Sequence, residues 1–119
     1  YAPYTRLIAD TPTPTFECDT ADIVTNNLGL ITADEIVLAG GKLETDNSAF
    51  YLNNNMEYWV GSPFVFSGRD SFVFELYPTG GLDYGNLDTP YVAARGVVSL
   101  SSESKLLGSG TYNDVYTVN

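Results

Sequence analysis

The sequence predicts an α+β domain with a small mixed or antiparallel sheet, one or two short helices and extensive loops. Nine tyrosines and six phenylalanines favour β structure, because aromatic rings pack well across neighbouring strands. A capping motif near residue 32 signals one helix, and clusters of Gly, Pro and Asn interrupt the other apolar runs. With 119 residues and an apolar fraction of 44%, we expect residues 1–119 to fold as one domain.

The helix prediction rests on Thr32 and Glu35, which have the spacing of a capping box. In that motif the hydroxyl accepts a hydrogen bond from a free backbone amide, and the carboxylate reaches back to the cap residue. Ile36, Val37 and Leu38 supply an apolar face, and Gly40-Gly41 gives a stop signal. We therefore expect a helix over Ala33–Ala39.

We expect the stretch Tyr58–Leu100 to form the centre of the sheet. Phe64-Val65-Phe66 and Phe72-Val73-Phe74 are β-rich runs, and the intervening segment Ser67–Ser71 predicts a loop. A second turn is predicted at Pro78-Thr79-Gly80-Gly81. These aromatic runs hold more rings than one face of a hairpin can bury, because side chains alternate between the two faces.

Shorter strands are expected on either side of these runs. Tyr1–Leu7 predicts an edge strand, because Pro3 cannot donate a hydrogen bond to a central ladder. Phe16 is expected to contact the core. Arg95–Leu100 and Tyr112–Val118 predict strands towards the end of the chain.

The charge of the chain excludes several classes of function. Fifteen acidic and five basic residues give a net charge of −10, which argues against a phosphate-binding, nucleic-acid surface. Without histidine, the Ser-His-Asp and Cys-His catalytic arrangements and histidine-ligated zinc are excluded. The single Cys18 has no partner for a disulfide within this sequence. No apolar run approaches the ~20 residues of a membrane helix, so we expect no membrane insertion.

The surplus of aromatic residues has two explanations. Loops or a second layer cover both sides of the hairpin, or some rings form an exposed binding patch framed by polar residues. Trp59 is expected in the core and its neighbour Tyr58 on the other side, and Arg95 is expected to be buried and paired. On the second explanation, the predicted ligand-binding residues are Asn53, Asn55, Tyr58, Phe64, Arg69, Asp70, Phe72, Tyr77, Asp83, Tyr84, Asn86 and Asp88.

Metal binding and catalysis are the other chemistries to weigh. Asp83, Asn86 and Asp88 form one oxygen-rich cluster and residues 44–47 another, but neither has the spacing of an EF-hand. Solvated acidic loops explain both clusters better than calcium. Glu57, Asp70, Glu75 and Asp83 supply carboxylates for glycoside hydrolysis, yet nothing in the sequence brings two of them together. We therefore expect no catalytic residue, no metal and no cofactor.

Several stretches resemble C-type-lectin-like domains of the formylglycine-generating-enzyme type. Gly29–Glu35, closing on Ala39-Gly40-Gly41, resembles the helix opening of that family. It is more similar to a branch found in surface and pilin-like proteins of Gram-positive gut bacteria and their phages. The rest of that pattern follows in order through Tyr51-Leu52, Tyr58-Trp59, Ser62-Pro63, Phe66, Gly68, Val73-Phe74, Gly80, Leu82, Arg95, Val97, Leu100 and Gly108–Asn113.

The resemblance implies a C-type-lectin-like fold and a recognition function. Relatives of this fold include the variable proteins of diversity-generating retroelements, whose scaffold displays a face of interchangeable receptor-binding residues. The implied protein is a non-enzymatic, extracellular adhesin or receptor-binding domain at a cell or virion surface, with a surface protein or glycan as partner. The alternative is a structural subunit of a filament, pilus, capsid or phage tail.

The resemblance also bears on the start of the chain. In that branch the cysteine corresponding to Cys18 often pairs with one further upstream, which implies a structural role. Together with a start at Tyr1 rather than methionine, this leads us to expect the C-terminal part of a longer protein.

Overall fold

The computed structural model describes residues 3–8, 12–17, 28–111 and 113–119. The predictions for Cys18 therefore lie outside the described residues. Within this part, the helices are α1 (Pro3–Leu7) and α2 (Ala33–Leu38). The strands are β1 (Gly29–Leu30), β2 (Lys42–Leu43), β3 (Tyr58–Ser67), β4 (Asp70–Leu76), β5 (Gly81–Asn86), β6 (Ala93–Ala94), β7 (Gly96–Val97), β8 (Leu106–Leu107) and β9 (Thr117–Val118).

The main sheet has five strands in the order β2-β5-β4-β3-β6. The long strands β3, β4 and β5 pair antiparallel, and the short strands β2 and β6 add parallel pairs at the two edges. Two separate two-stranded pairs form from β1 with β7 and from β8 with β9. The α+β class with a small mixed sheet and two short helices is thus confirmed.

Both predicted turns connect the central strands. The first lies between Ser67 and Asp70, where β3 passes into β4. The second follows β4, where the Tyr77 amide donates to the Gly81 carbonyl at 2.9 Å. Gly80 has a φ of +80°, and a side chain there would overlap the Asn47 carbonyl. Only glycine fits this position without strain.

The core lies between the helices and one face of the sheet, which we call the helix side. Tyr58, Leu76 and Leu82 lie opposite one another on β3, β4 and β5 and are at most 1% exposed. Leu7 from α1 and Ile36 from α2 cover this face and are equally buried. Alternation along the strands sends these residues inward and their neighbours to the opposite face.

The start of α2 is fixed by both parts of the predicted capping box. The Thr32 hydroxyl accepts from the Glu35 amide at 3.2 Å, and the Glu35 carboxylate accepts from the Thr32 amide at 2.7 Å. In addition, the Ala33 amide donates to the buried Ser62 hydroxyl of β3 at 2.9 Å. The helix prediction is confirmed, with Ala39 as the C-cap rather than the last helical residue.

Asp34, in the first turn of α2, ties three segments together. Its carboxylate accepts two hydrogen bonds from the Arg6 guanidinium of α1, at 2.8 and 2.9 Å. It also accepts one from the Thr15 amide at 2.9 Å. The helix dipole favours a negative charge at this position, so the aspartate stabilises α2 while it anchors its neighbours.

Two predictions for the N-terminal part are wrong. The first segment is not an edge strand, because Pro3–Leu7 forms α1. Proline suits the first position of a helix, where its missing N–H would have no partner, and Leu7 then enters the core. Phe16 does not contact the core, since it is 72% exposed.

The predictions for Arg95 and the strand after it also need correction. Only Gly96–Val97 of the predicted strand forms β7, and Val97 is 40% exposed rather than core. Arg95 is exposed, yet it donates to the Leu52 carbonyl at 2.6 Å and lies 5.5 Å from the centre of the Tyr58 ring. The last predicted strand shortens to Thr117–Val118, within residues 113–119.

We expect Thr32→Ala to lower the free energy of unfolding by about 1 kcal/mol, because the Glu35 amide loses its acceptor. Urea denaturation monitored by circular dichroism measures this change. Thr89→Ala, which removes an exposed hydroxyl outside any helix, is the control and should be neutral. Equal stability of the Thr32→Ala and Thr89→Ala proteins would contradict the role of the cap.

Candidate functional site

Six of the predicted ligand-binding residues lie at one end of the sheet. We call this region the tip face: the helix-side surface and rim where the β3–β4 hairpin ends. Val65, Phe72 and Asn86 lie opposite one another across β3, β4 and β5. The tip face consists of Val65, Arg69, Asp70, Phe72, Tyr84, Asn86 and Asp88.

The centre of the tip face is the ring of Tyr84. It stacks on Phe64 with 4.0 Å between ring centroids and an interplanar angle of 10°. Phe72 meets it edge-on at 5.9 Å. Phe64 is in turn held by edge contacts with Tyr4 of α1 and Phe74 of β4. Tyr84 is therefore fixed from below while 40% of it remains exposed.

Polar side chains frame this aromatic centre. The Asn86 side chain accepts from the Asp88 amide at 3.4 Å, and the Leu87 amide donates to the Ser71 carbonyl at 2.9 Å. These contacts hold the chain after β5 against the hairpin turn, where Arg69 and Asp70 are exposed. Within the described part of the chain, Arg69 forms no ion pair with a carboxylate of the tip face. Its charge is thus available to a partner.

Tyr58 and Phe64 were predicted to be exposed, and this is wrong. Tyr58 is 1% exposed and its hydroxyl donates to the Leu52 carbonyl at 3.1 Å, while Trp59 lies on the opposite face and is only half-buried. The predicted sides of these two neighbours are thus reversed. Phe64 is 7% exposed, because side chains alternate along β3 and it enters the core on the same face as Tyr58 and Val60.

Asn53 and Asn55 lie away from the tip face. The side-chain NH2 group of Asn53 donates to the backbone carbonyl of Pro78 at 3.1 Å. The side-chain oxygen of Asn53 accepts from the backbone amide of Asn55 at 2.9 Å. Asn55 has a φ of +60°, a conformation that asparagine tolerates. Because Pro78 follows the far end of β4, these asparagines build a loop there and do not join the six residues of the tip face.

Tyr77 and Asp83 lie on the face of the sheet opposite the helices. There Trp59, Glu75 and Asp83 are aligned across β3, β4 and β5. Glu57, just before β3, and Tyr77, just after β4, extend this row. We call these five residues, Glu57, Trp59, Glu75, Tyr77 and Asp83, the acidic face.

Glu75 is the most unusual residue of the acidic face. It is 1% exposed, and its carboxyl lies so close to Gly85 that any side chain there would overlap it. Burial, hydrogen bonding with Glu57 and the negative charges of Glu57 and Asp83 raise the pKa of Glu75 to about 7. The Trp59 indole faces this carboxyl and favours its ionised form, although neither Nε1 nor Oε1 completes a hydrogen bond.

Tyr77 connects the acidic face to the tip face. Its hydroxyl donates to the Tyr84 carbonyl at 3.2 Å. Burial, followed by the negative charges of Glu57, Glu75 and Asp83, raises the pKa of Tyr77. The phenol therefore stays protonated and keeps its role as a donor.

Nothing in the sequence indicated that two of the acidic residues would come together, but Glu57 and Glu75 interact in the folded chain. Glycosidases hold their carboxyl pair about 5–5.5 Å or about 6.5–9.5 Å apart, so that a sugar or a water fits between them. Glu57 and Glu75 are near enough for their carboxyls to hydrogen-bond, which is closer than either spacing. In the described residues no group of three acidic or cysteine side chains is arranged to hold a metal ion.

The exposed aromatic residues that the predicted site omitted include Tyr51, Phe66 and Tyr91. Tyr91 is fully exposed and has a φ of +78°, which is uncommon for a residue with a bulky side chain. Tyr51 and Phe66 are more than 70% exposed. The turn-forming segment before Tyr91, which contains Pro90, was the only sequence signal for its position.

The comparisons with known proteins do not add to this geometry. No family model matches the chain, and neither the curated proteins nor the solved structures contain a match. Among the described residues, no helix has the length and apolar character needed to cross a membrane. The tip face and the acidic face are therefore the features from which a function has to be inferred.

The raised pKa of Glu75 makes the stability of the domain depend on pH. Between pH 4.5 and about 7, the folded state keeps a proton that the unfolded state has released. This contribution to the free energy of unfolding is complete below pH 4.5 and is lost as the pH rises through about 7. In Glu75→Gln the amide cannot ionise, so we expect that decline to disappear.

Urea denaturation of both proteins at about pH 5 and about pH 8 measures this effect. Glu103→Gln, which removes the same charge from an exposed turn, should keep the pH dependence of the wild type. A Glu75→Gln protein that loses as much stability as wild type between the two pH values would contradict the assignment.

Proposed function

We propose that this chain is a non-enzymatic, extracellular ligand-recognition domain that binds a surface protein or glycan receptor through its tip face. The observation that carries the proposal is the half-exposed Tyr84 ring, which is stacked on Phe64 and edged by Phe72. Tyrosine is enriched among residues that dominate binding energy. Because this ring is already held in place, a ligand that stacks on it does not have to order it.

The surroundings of Tyr84 support the same function. Arg69, Asp70, Asn86 and Asp88 supply donors and acceptors around an apolar centre. Binding surfaces of this kind combine an aromatic centre with a polar, hydrated rim. Elsewhere on the helix side, Tyr58, Leu76 and Leu82 are buried in the core with Leu7 of α1 and Ile36 of α2.

For the fold we propose the C-type-lectin-like type. The capped α2, the small mixed sheet and the long loops agree with what the sequence resemblance implies. The close contact between Glu57 and Glu75 supports a binding function over hydrolysis, since it leaves no room for a substrate between the two carboxyls.

A structural subunit of a filament, pilus, capsid or tail is the second candidate. It is favoured by the exposed apolar residues near the end of the chain. In the described residues from 98 onward, those at least half exposed are Val98, Leu100, Leu106, Leu107, Val115, Tyr116 and Val118. The strands β8 and β9 form a pair of their own, and an isolated two-stranded pair is marginally stable in water. Burial between subunits would stabilise it.

Alanine substitutions separate the tip face from the core. We expect Tyr84→Ala to weaken receptor binding by about ten-fold or more, because the central ring is lost. Phe74→Ala should instead lower the free energy of unfolding by about 3–5 kcal/mol, because Phe74 is fully buried. A glycan and protein array, followed by titration of the ligand found, measures binding. Thermal and urea denaturation measure stability.

Tyr51→Ala is the matched control, since it removes an exposed tyrosine outside the tip face. Equal binding by the Tyr84→Ala and wild-type proteins would refute the tip face as the binding surface. Sedimentation velocity of the wild type tests the second candidate. A stable oligomer that dissociates on Leu106→Ser/Leu107→Ser substitution would favour assembly over recognition.

A further inference from the structure

Among the residues that the structure describes, no positive charge pairs with the acidic face. Of the five basic residues in the sequence, Arg6 is paired with Asp34, and Arg95 donates to the Leu52 carbonyl. Lys42, Arg69 and Lys105 are exposed, and none of the five, all of them within the described residues, forms an ion pair with a carboxylate of the acidic face. Three carboxylates therefore lie close together without a counter-charge.

A second observation shows that this cluster is incomplete. Glu75 is 1% exposed, and its Oε1 atom has no hydrogen-bond partner. A buried acceptor without a partner is costly, and more so when it carries charge. The Nε1 atom of Trp59 faces the same carboxyl but does not complete a hydrogen bond to it. Both unpartnered atoms belong to the same row across β3 and β4.

The chemistry of the face indicates which ligand would complete it. No group of three carboxylates in the described residues is arranged to hold a metal ion, which needs its oxygens about 2–2.6 Å away. A larger cation with several diverging N–H groups accepts more widely spaced oxygens. Trp59 and Tyr77 lie on the same face, and aromatic rings attract such cations.

We propose that the acidic face binds an organic cation, either a primary ammonium or a guanidinium group. Glu57 and Asp83, which are partly exposed, contact the cation directly. Glu75 supports them from below with its unpartnered oxygen, and the Trp59 ring contributes a cation–π interaction. This site is separate from the tip face and does not depend on the proposed function.

The titrating groups that face Glu75 agree with this assignment. They are Glu57 before β3, Tyr77 after β4 and Asp83 on β5, and none of them is positive. A bound cation would replace the proton that Glu75 holds below about pH 7. Binding should therefore release a proton near neutral pH and become stronger as the pH rises through about 7.

Two sources can supply the cation, and the probes distinguish them. The first probe is N-acetyl-lysine N-methylamide, which represents a lysine side chain of a partner protein, with its arginine equivalent beside it. The second is propylammonium, which represents a free small amine. N-acetyl-norleucine N-methylamide, which has a similar side chain without charge, is the negative probe. Trp59 is the only tryptophan, so its fluorescence reports binding directly.

We expect at least one cationic probe to change the Trp59 fluorescence in a saturable way, while the norleucine probe does not. Glu57→Gln/Asp83→Asn should weaken binding by about ten-fold or more. The matched control is Glu17→Gln/Glu103→Gln, which removes two negative charges from exposed positions outside both faces and should bind like wild type. Circular dichroism melts establish that both variants fold, and Glu75→Gln is the second test variant.

Three outcomes would overturn the proposal. The first is that no cationic probe binds better than the norleucine probe. The second is equal weakening by both double variants, which would show only general attraction to a chain of net charge −10. The third is that the Glu75→Gln protein and the Glu57→Gln/Asp83→Asn protein both bind the cationic probe with the affinity of the wild type. Because receptor binding by the tip face is measured with Tyr84→Ala, failure of one proposal does not imply failure of the other.

Discussion

The rest of the structure depends on the buried carboxylate of Asp34. It holds α1 through Arg6 and the segment before residue 18 through Thr15, while its own helix is joined to β3 by the Ser62 hydroxyl. These contacts set where the helix layer lies on the sheet. Because the helices are short, they cover only part of one face. The uncovered end of the helix side becomes the tip face, and the opposite side of the sheet carries the acidic face.

The two candidate surfaces use the strands in different ways. The tip face presents a ring that core contacts already hold, so its chemistry is that of shape and stacking. The acidic face presents charges that the chain does not balance, so its chemistry is electrostatic. Alternation along β4 separates them, since Phe72 and Phe74 point one way and Glu75 the other. The Tyr77 hydroxyl, bonded to the Tyr84 backbone, is the contact between them.

Local signals predicted the local structure well. The cap and the stop of α2 and both turns of the central strands lie where their residue types require, because each depends on neighbours in sequence. The sides taken by Tyr58 and Trp59 depend on pairing with β4, and the burial of Phe64 follows from the side that Tyr58 takes, because both lie on one face of β3. The contact of Glu57 with Glu75 likewise needs the register of two strands. Six tip residues were predicted together because they flank one turn and the strand beside it.

The pairing of β1 with β7 has a mechanical consequence. Gly29 and Leu30 lie opposite Val97 and Gly96, so two short strands close a loop that contains the entire main sheet. Tension applied through the residues after Val97 reaches this pair first. It then passes to the Gly61 amide of β3, which is bonded to the Ile31 carbonyl at 2.7 Å. Force on the end of the chain would therefore separate β1 from β7 before it strained the strands that carry the tip face and the acidic face.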